Sequence, residues 1–279
     1  MSKQRTRFSV PEWIAFMKIF YIAEITGKVG IWTVKKTIGY VKKAYSPDFI
    51  IANANRATGG NGLGKEHAGY LKKMGVGCIT GGDCMFQKQD LVQSLTEMPF
   101  VLRPANISEN SPGRGYHYFF TGKKEKLAVI SLLGRYGRYR MLADNPFSFI
   151  EKTIQAVQKQ TNYIFVDFSS SATAEKKALA YFLAGKVSAL IGSGAHAATA
   201  DEQLLYGTTA FITDAGRTGS FQSVVGYAPA QKIEQYRTGL FEYPCESWDR
   251  PYLQGLTLTI DDYGKARSIE RVRIGPETA

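Results

Sequence analysis

The tightest constraint on this chain is a recurring alternation. Short runs of β-branched and aromatic residues stop abruptly in loops built from Gly, Asn, Asp, Ser and Thr, and helical patterns lie between them. The loops fall at residues 24–27, 53–60, 81–84, 167–171, 192–196 and 214–219. Residues 19–23 (IFYIA) read as a first strand. Ile31, Val34, Ile38, Val41 and Tyr45 then recur at helical spacing with lysines on the other face, until Ser46-Pro47 stops the helix. Further strands are expected at 49–52, 76–80, 127–133, 163–168, 187–191 and 209–213, and helices near 65–74, 146–160, 173–184 and 229–237. The C-terminus reads as a hairpin, 253–260 and 267–274 around the turn Asp261-Asp262-Tyr263-Gly264. This pattern predicts one α/β domain, with two sheets packed together and helices outside.

Charge is unevenly spread. The chain has 279 residues and a net charge of +11. Residues 1–43 hold nine Lys and Arg against Glu12 and Glu24, most of the excess. Such a field attracts RNA, anionic lipid or an acidic protein partner, and equally describes a solvated basic face. Residues 1–17 read as an N-terminal arm, basic up to Arg7 and then apolar through Phe8, Trp13, Phe16 and Met17, ahead of a domain at 18–279. The arm is expected to lie over the protein's own surface or to dock a protein partner. No apolar run reaches the length of a membrane span. Three cysteines with no CxxC spacing suggest a reduced, cytoplasmic protein rather than a disulfide or structural-zinc scaffold.

The strand-end loops are where chemistry concentrates on an α/β scaffold, and an ordered series of stretches runs through them. These are PDFIIANANRATGGNGL (47–63), VLRPAN (101–106), SPGRGY (111–116), AVISLLGR (128–135), FVDFSSSATAEKKAL (165–179), SALIGSGAHAATAD (188–201) and AFITDAGRTGS (210–220). In these the chain, from about residue 18 onward, resembles the bacterial calcineurin-like metallophosphoesterases of the YmdB type, which are 2',3'-cyclic-nucleotide 2'-phosphodiesterases. The resemblance implies a four-layer α/β/β/α metallophosphoesterase sandwich, a two-metal site at the strand ends and a homo-oligomer.

The departures from the family pattern fall on its metal ligands. The resemblance implies Gly-Asp where this chain has Ala23-Glu24, and Gly-Glu-Asn where it has Ala54-Asn55-Arg56. Gly-Asn-His is replaced by Gly82-Asp83-Cys84, which puts Cys84 at the position of the catalytic His. Asp-Phe-His becomes Asp167-Phe168-Ser169, and Gly-Thr-His-Thr-His becomes Gly192-Ser193-Gly194-Ala195-His196. Only His196 is unchanged. The pocket residues are then Glu24, Asn55, Arg56, Asp83, Cys84, Ser169, Gly194 and His196.

Two close divalent ions need anionic or imidazole ligands. Here the bridging carboxylate becomes the neutral Asn55, two imidazoles are lost at Ser169 and Gly194, and Arg56 adds a cation that repels metal. Arg56 is expected to pair with Glu24 or Asp83 instead. Cys84 is a poor replacement for an imidazolium acid. No cofactor is therefore expected; the alternative is one or two divalent ions such as Fe or Mn, with Glu24, Asp83 and His196 holding a mononuclear site. Neither His67 nor His117 matches a ligand position, and both read as surface or core histidines. Arg56, Arg103, Arg135 and the 192–194 turn offer cations and N–H donors that could hold a phosphate without metal. The run Arg135-Tyr136-Gly137-Arg138-Tyr139-Arg140 suits RNA, a protein interface or a basic loop.

The leading expectation is a catalytically degenerate, oligomeric phosphoesterase-like protein kept for binding, scaffolding or regulation. The alternatives are an active phosphodiesterase on cyclic nucleotides or RNA ends with an altered metal site, and an RNA-binding regulator.

Overall fold

The computed structural model describes residues 16–136, 141–240 and 245–278. Its strands are β1 (Met17–Ile22), β2 (Glu24–Ile25), β3 (Phe49–Asn53), β4 (Cys78–Thr80), β5 (Val101–Leu102), β6 (Tyr116–Phe120), β7 (Lys126–Leu133), β8 (Tyr163–Ser169), β9 (Ala189–Ser193), β10 (Gln203–Leu205), β11 (Thr209–Ile212), β12 (Arg217–Ser220), β13 (Pro251–Ile260) and β14 (Ala266–Ile274). Its helices are α1 (Gly27–Tyr45), α2 (Lys65–Lys73), α3 (Gln89–Ser94), α4 (Pro146–Gln158), α5 (Thr173–Leu183) and α6 (Pro229–Thr238).

The strands form two sheets. The first runs β2-β12-β13-β1-β3-β4-β5, with β14 paired to β13; the second runs β10-β11-β9-β8-β7-β6. β1, β3, β4 and β5 are mutually parallel, as are β7, β8, β9 and β11. Parallel neighbours need crossover connections; α1 to α5 supply five of them, and β10 lies in the one from β9 to β11.

The alternation of side chains within each strand sets the layers. On β1, Phe20 and Ile22 join Val34, Ile38 and Val41 of α1 in an outer core, while Ile19 and Tyr21 face the other way. Those two meet Val129, Phe165 and Ile191 of the second sheet together with Leu256 and Leu258. On β7, Ile130 and Leu132 turn outward onto Ile150 and Ile154 of α4 and Leu179 and Leu183 of α5. Three apolar seams thus separate four layers, α/β/β/α, as the resemblance implied.

Two expectations need adjusting. Met17, expected in the arm, instead pairs with Ile260 and is buried in the inter-sheet core. Its apolar side chain alternates in register with Ile19 and Tyr21, so the domain begins at the strand. Residues 1–15 of the arm, including Trp13, lie outside the described residues, as do residues 137–140 of the arginine- and tyrosine-rich run. The strands expected at 76–80 and 187–191 each begin two residues later, as β4 and β9. Among the described residues, no helix is long and apolar enough to cross a membrane.

Among the described residues, one ion pair is wholly buried. Lys176 Nζ of α5 lies 2.7 Å from Asp214 Oδ2 just beyond β11, and both side chains are fully buried. Removing one partner would leave an uncompensated charge in the interior. Lys176→Met should therefore lower unfolding stability by about 3 kcal/mol or more, measured by urea denaturation. A loss under about 1 kcal/mol would mean that Asp214 is neutral in the fold.

Candidate functional site

All of the parallel strands point their C-terminal ends to one edge of the sandwich, and the polar loops meet there. The alternation continues past the strand ends. Asn53 and Asn55 follow Ile51, Ser169 follows Asp167, and Ser193 follows Ile191 on the inter-sheet face.

Beneath the surface lies a buried carboxylate. Asp167 Oδ2 accepts from Tyr21 Oη at 2.9 Å, from Asn53 Nδ2 at 3.0 Å and from Thr80 Oγ1. Its other oxygen accepts from Ser193 Oγ at 2.9 Å. Burial pushes the Asp167 pKa up, and the four hydrogen bonds pull against that. Asn53 Oδ1 in turn accepts from the backbone N–H of Asn55, which fixes the layer above.

That upper layer is the cluster expected from the sequence. Asn55 Nδ2 donates to Glu24 Oε1 at 3.2 Å and to Asp83 Oδ1 at 2.9 Å. Its carbonyl oxygen accepts from Gly82 N at 2.8 Å and Cys84 N at 2.9 Å. Every hydrogen-bonding position of this amide is therefore used. Arg56 lies across the same carboxylates, with Nε 3.6 Å from Glu24 and Nη2 3.7 Å from Asp83. Its Nη1 donates to Gly60 O. His196 Nδ1 contacts the remaining oxygen of Glu24. Ser169 completes the group: its hydroxyl is the nearest atom to where a Cβ on Gly82 would lie, and it also lines the space beside Gly194.

The loop carrying His196 is held from below. Asp214 Oδ2 accepts from Ala195 N at 2.7 Å and Oδ1 from Gly216 N at 2.9 Å, while Lys176 supplies the counter-charge. His196 itself adopts a positive φ of 62°, and Gly194 one of 98°.

These eight residues converge as the sequence suggested; other candidates do not join them. His67 Nδ1 bonds Thr58 Oγ1, and His117 Nδ1 lies 3.2 Å from Arg114. Burial lowers the pKa of both imidazoles. Arg103 is buried and donates to Pro104 O and Ser111 O, and Arg135 is exposed. The supporting residues Tyr21, Asn53, Thr80, Asp167, Ser193, Lys176 and Asp214 had no assigned role from the sequence. The available signal was an acid inside an otherwise apolar strand, Asp167 in YIFVDFS, since a buried carboxylate needs donors.

The donor set can be tested against a pair of divalent ions. Asp83 and Glu24 are both occupied by Asn55 and Arg56, and His196 is turned onto Glu24. Among the described residues, no group of three or more His, Cys, Asp or Glu side chains is arranged to hold a metal ion. The residues present do not fit a two-metal centre.

Comparison with known proteins places this geometry. The YmdB-like protein family model matches residues 20–272. The chain belongs to that family. It is 35% identical over 262 residues to the 2',3'-cyclic-nucleotide 2'-phosphodiesterase of Bacillus subtilis, covering 94% of this chain and 98% of the relative. A crystal structure described as a novel phosphatase from Mycoplasma pneumoniae superposes with a TM-score of 0.87 at 29% identity, covering 94% of each chain. The crystal structure of a hypothetical protein from Thermus thermophilus gives a TM-score of 0.85 at 25% identity over 93% of this chain and 99% of its own. The fold is thus that of phosphodiesterase- and phosphatase-type YmdB-like proteins.

Protonation couples Glu24 and His196. Burial disfavours charge on both, but each is held charged by the other. The His196 pKa is raised, and that of Glu24 is lowered with help from Arg56 and Asn55. The raised imidazole contributes stability below its ordinary value of about 6.5, lost as pH rises through the folded value. The lowered carboxylate contributes above its ordinary value of about 4.3, lost as pH falls through the folded value. The destabilisation caused by His196→Gln, read as the urea midpoint difference from wild type, should be largest between these limits and shrink at alkaline pH. A difference that is flat from about pH 5 to 9 would show that folding leaves the His196 pKa unshifted.

Cys84 is a weak acid here. Burial pushes its thiol up to about 12, against the pull of Arg56. Cys78 is also buried and raised, whereas Cys245 is exposed. Alkylation of the native protein near pH 8 should modify Cys245 first, with Cys84 slower by on the order of a hundredfold. Mass spectrometry of peptides from a time course checks this, and equal rates would mean an open, ionised Cys84.

Proposed function

We propose that this chain uses the phosphodiesterase fold as a binding or regulatory protein, with an ion-pair cluster where a metal pair would sit. One observation carries the reading: Arg56 and Asn55 span the two carboxylates, Glu24 and Asp83, that could otherwise bind cations. With His196 protonated, the two carboxylates are balanced by two cationic side chains inside the cluster. Such a cluster has little residual charge with which to hold metal. The reading also includes a cytoplasmic location, supported by three unpaired cysteines. It includes self-association, supported by family resemblance, and a partner-docking role for the arm, supported by its basic and aromatic composition.

A second reading is favoured by likeness. The 35%-identical relative is named as a phosphodiesterase, and by family likeness alone hydrolysis of cyclic nucleotides or RNA ends is the better supported activity. The donor set argues against it, because Arg56 is a fixed cation and the Cys84 thiol is a poor proton donor to a leaving group at neutral pH.

Elemental analysis of protein purified with manganese or iron, beside a 2',3'-cyclic-nucleotide hydrolysis assay, separates the two. Clearly substoichiometric metal and no turnover above the buffer rate are expected. Stoichiometric metal with hydrolysis that is lost in Glu24→Ala would establish the active enzyme. The combined change Asn55→Glu, Arg56→Asn, Asp83→Asn, Cys84→His and Ser169→His should raise metal uptake, with effects that do not add because the sites share one cavity. Gly194 is left alone, since its φ of 98° strains any side chain placed there. A folded multiple variant with no added metal would show that the cavity itself cannot host the ions.

A further inference from the structure

A cavity of about 700 Å³ opens beside the cluster, between residues 195–198 and strands β12, β13 and β14. His196 and Arg217 stand at the boundary, Arg217 being the register partner of Glu24. Arg273 lies opposite Gln254 and Arg271 opposite Leu256, and Leu256 packs in the inter-sheet core. Both arginines therefore rise from the face of β14 that is turned toward the second sheet, beyond where that sheet ends.

Among the described residues, no Asp or Glu lines this cavity. Arg271 Nε is paired with Glu202 at 2.8 Å. Arg217 and Arg273 have no ion pair among the described residues. Arg217 instead donates to Ser220 O and to Ser223 Oγ, which fixes its guanidinium within the wall. Burial holds it below the ordinary guanidinium pKa even with the Glu24 carboxylate in range. Arg273 Cζ lies 3.9 Å from the ring centre of Phe221 and 4.1 Å from that of Tyr252. Its plane is held by these aromatics, and Phe221 is 46% exposed.

We propose that this cavity binds a nucleoside di- or triphosphate, with the phosphate chain on Arg217 and Arg273 and the base stacked at the Phe221 rim. Two guanidinium groups with no ion-pair contact among the described residues suit a ligand of at least two negative charges, and their planar donors suit phosphate oxygens. The cavity volume is in the range that holds nucleotide-sized ligands. Exposed aromatic and guanidinium planes are stacking surfaces for a base. The site requires nothing of the Glu24–Asp83 cluster, and it holds whether or not that cluster hydrolyses anything.

Isothermal titration of the full chain with ADP, AMP, adenosine and inorganic pyrophosphate tests this. ADP should bind, more weakly as salt rises, with AMP and pyrophosphate each at least about tenfold weaker and adenosine silent. Arg273→Gln and Arg217→Gln should each cut ADP affinity at least about tenfold, while Arg56→Gln leaves it within about twofold. If Arg217→Gln does not fold, Arg217→Lys, which keeps the charge without the fork, should still weaken binding. No ADP binding at about 1 mM overturns the proposal, as does adenosine binding as well as ADP. Pyrophosphate equal to ADP overturns the base contact. Loss of ADP binding in Arg56→Gln but not in Arg273→Gln places the nucleotide at the central cluster and overturns the assignment of this cavity.

Discussion

The two sheets are tied together at their functional end by one carboxylate. Asp167, from the second sheet, draws donors from β1 and β4 and from the residue closing β3, all in the first sheet, and from Ser193 in its own. Apolar packing between sheets is tolerant of small slides, because dispersion and burial have little directionality. A buried acceptor with four partners is not, since each unmade hydrogen bond would leave a polar group unsatisfied. The Asn55 layer above it is fixed through Asn53, while the His196 loop rests on Asp214.

Above the node, two carboxylates are balanced by neighbouring side chains. Two carboxylates at the mouth of an apolar sandwich repel one another and lose solvation. Arg56 and His196 supply positive charge, and Asn55 supplies two donors in the plane between the acids. A guanidinium spreads its charge over a flat group and is always protonated, so it stabilises a fixed arrangement. It also offers no open coordination position. The same three side chains occupy both carboxylates, while Arg217 and Arg273 sit nearby on β12 and β14.

Most of the architecture was legible in the sequence because the parallel strands are continuous apolar runs ending in polar loops. The helix α1 was visible from Ile31, Val34, Ile38 and Val41, all of which are buried. Edge and accessory strands were not. Tyr116–Phe120 is an uninterrupted aromatic run with no alternation, and it forms β6 only because β7 offers it a partner. The two-residue strands β2 and β5 are too short to have a period at all. At the site, the polar loops pointed to a shared crevice, and the eight cluster residues came from the family resemblance. The floor beneath them did not, because Thr80, Ser193 and Asn53 look like ordinary turn formers until the fold brings Asp167 into reach. The arginine cavity was hidden for a related reason: Arg217 is far along the chain from Arg271 and Arg273, and meets them only across β13.

Gly194 limits what the site can accept. A residue without Cβ permits the loop to turn with φ at 98°, and a Cβ added there would lie 3.1 Å from the Ser170 carbonyl oxygen and 3.3 Å from the Ser169 hydroxyl. Side chains elsewhere in the cluster can be exchanged one at a time, but a backbone in a glycine-favouring turn must be rebuilt before an imidazole could be placed there. At this position the main chain, and not the choice of side chain, sets the chemistry open to the loop.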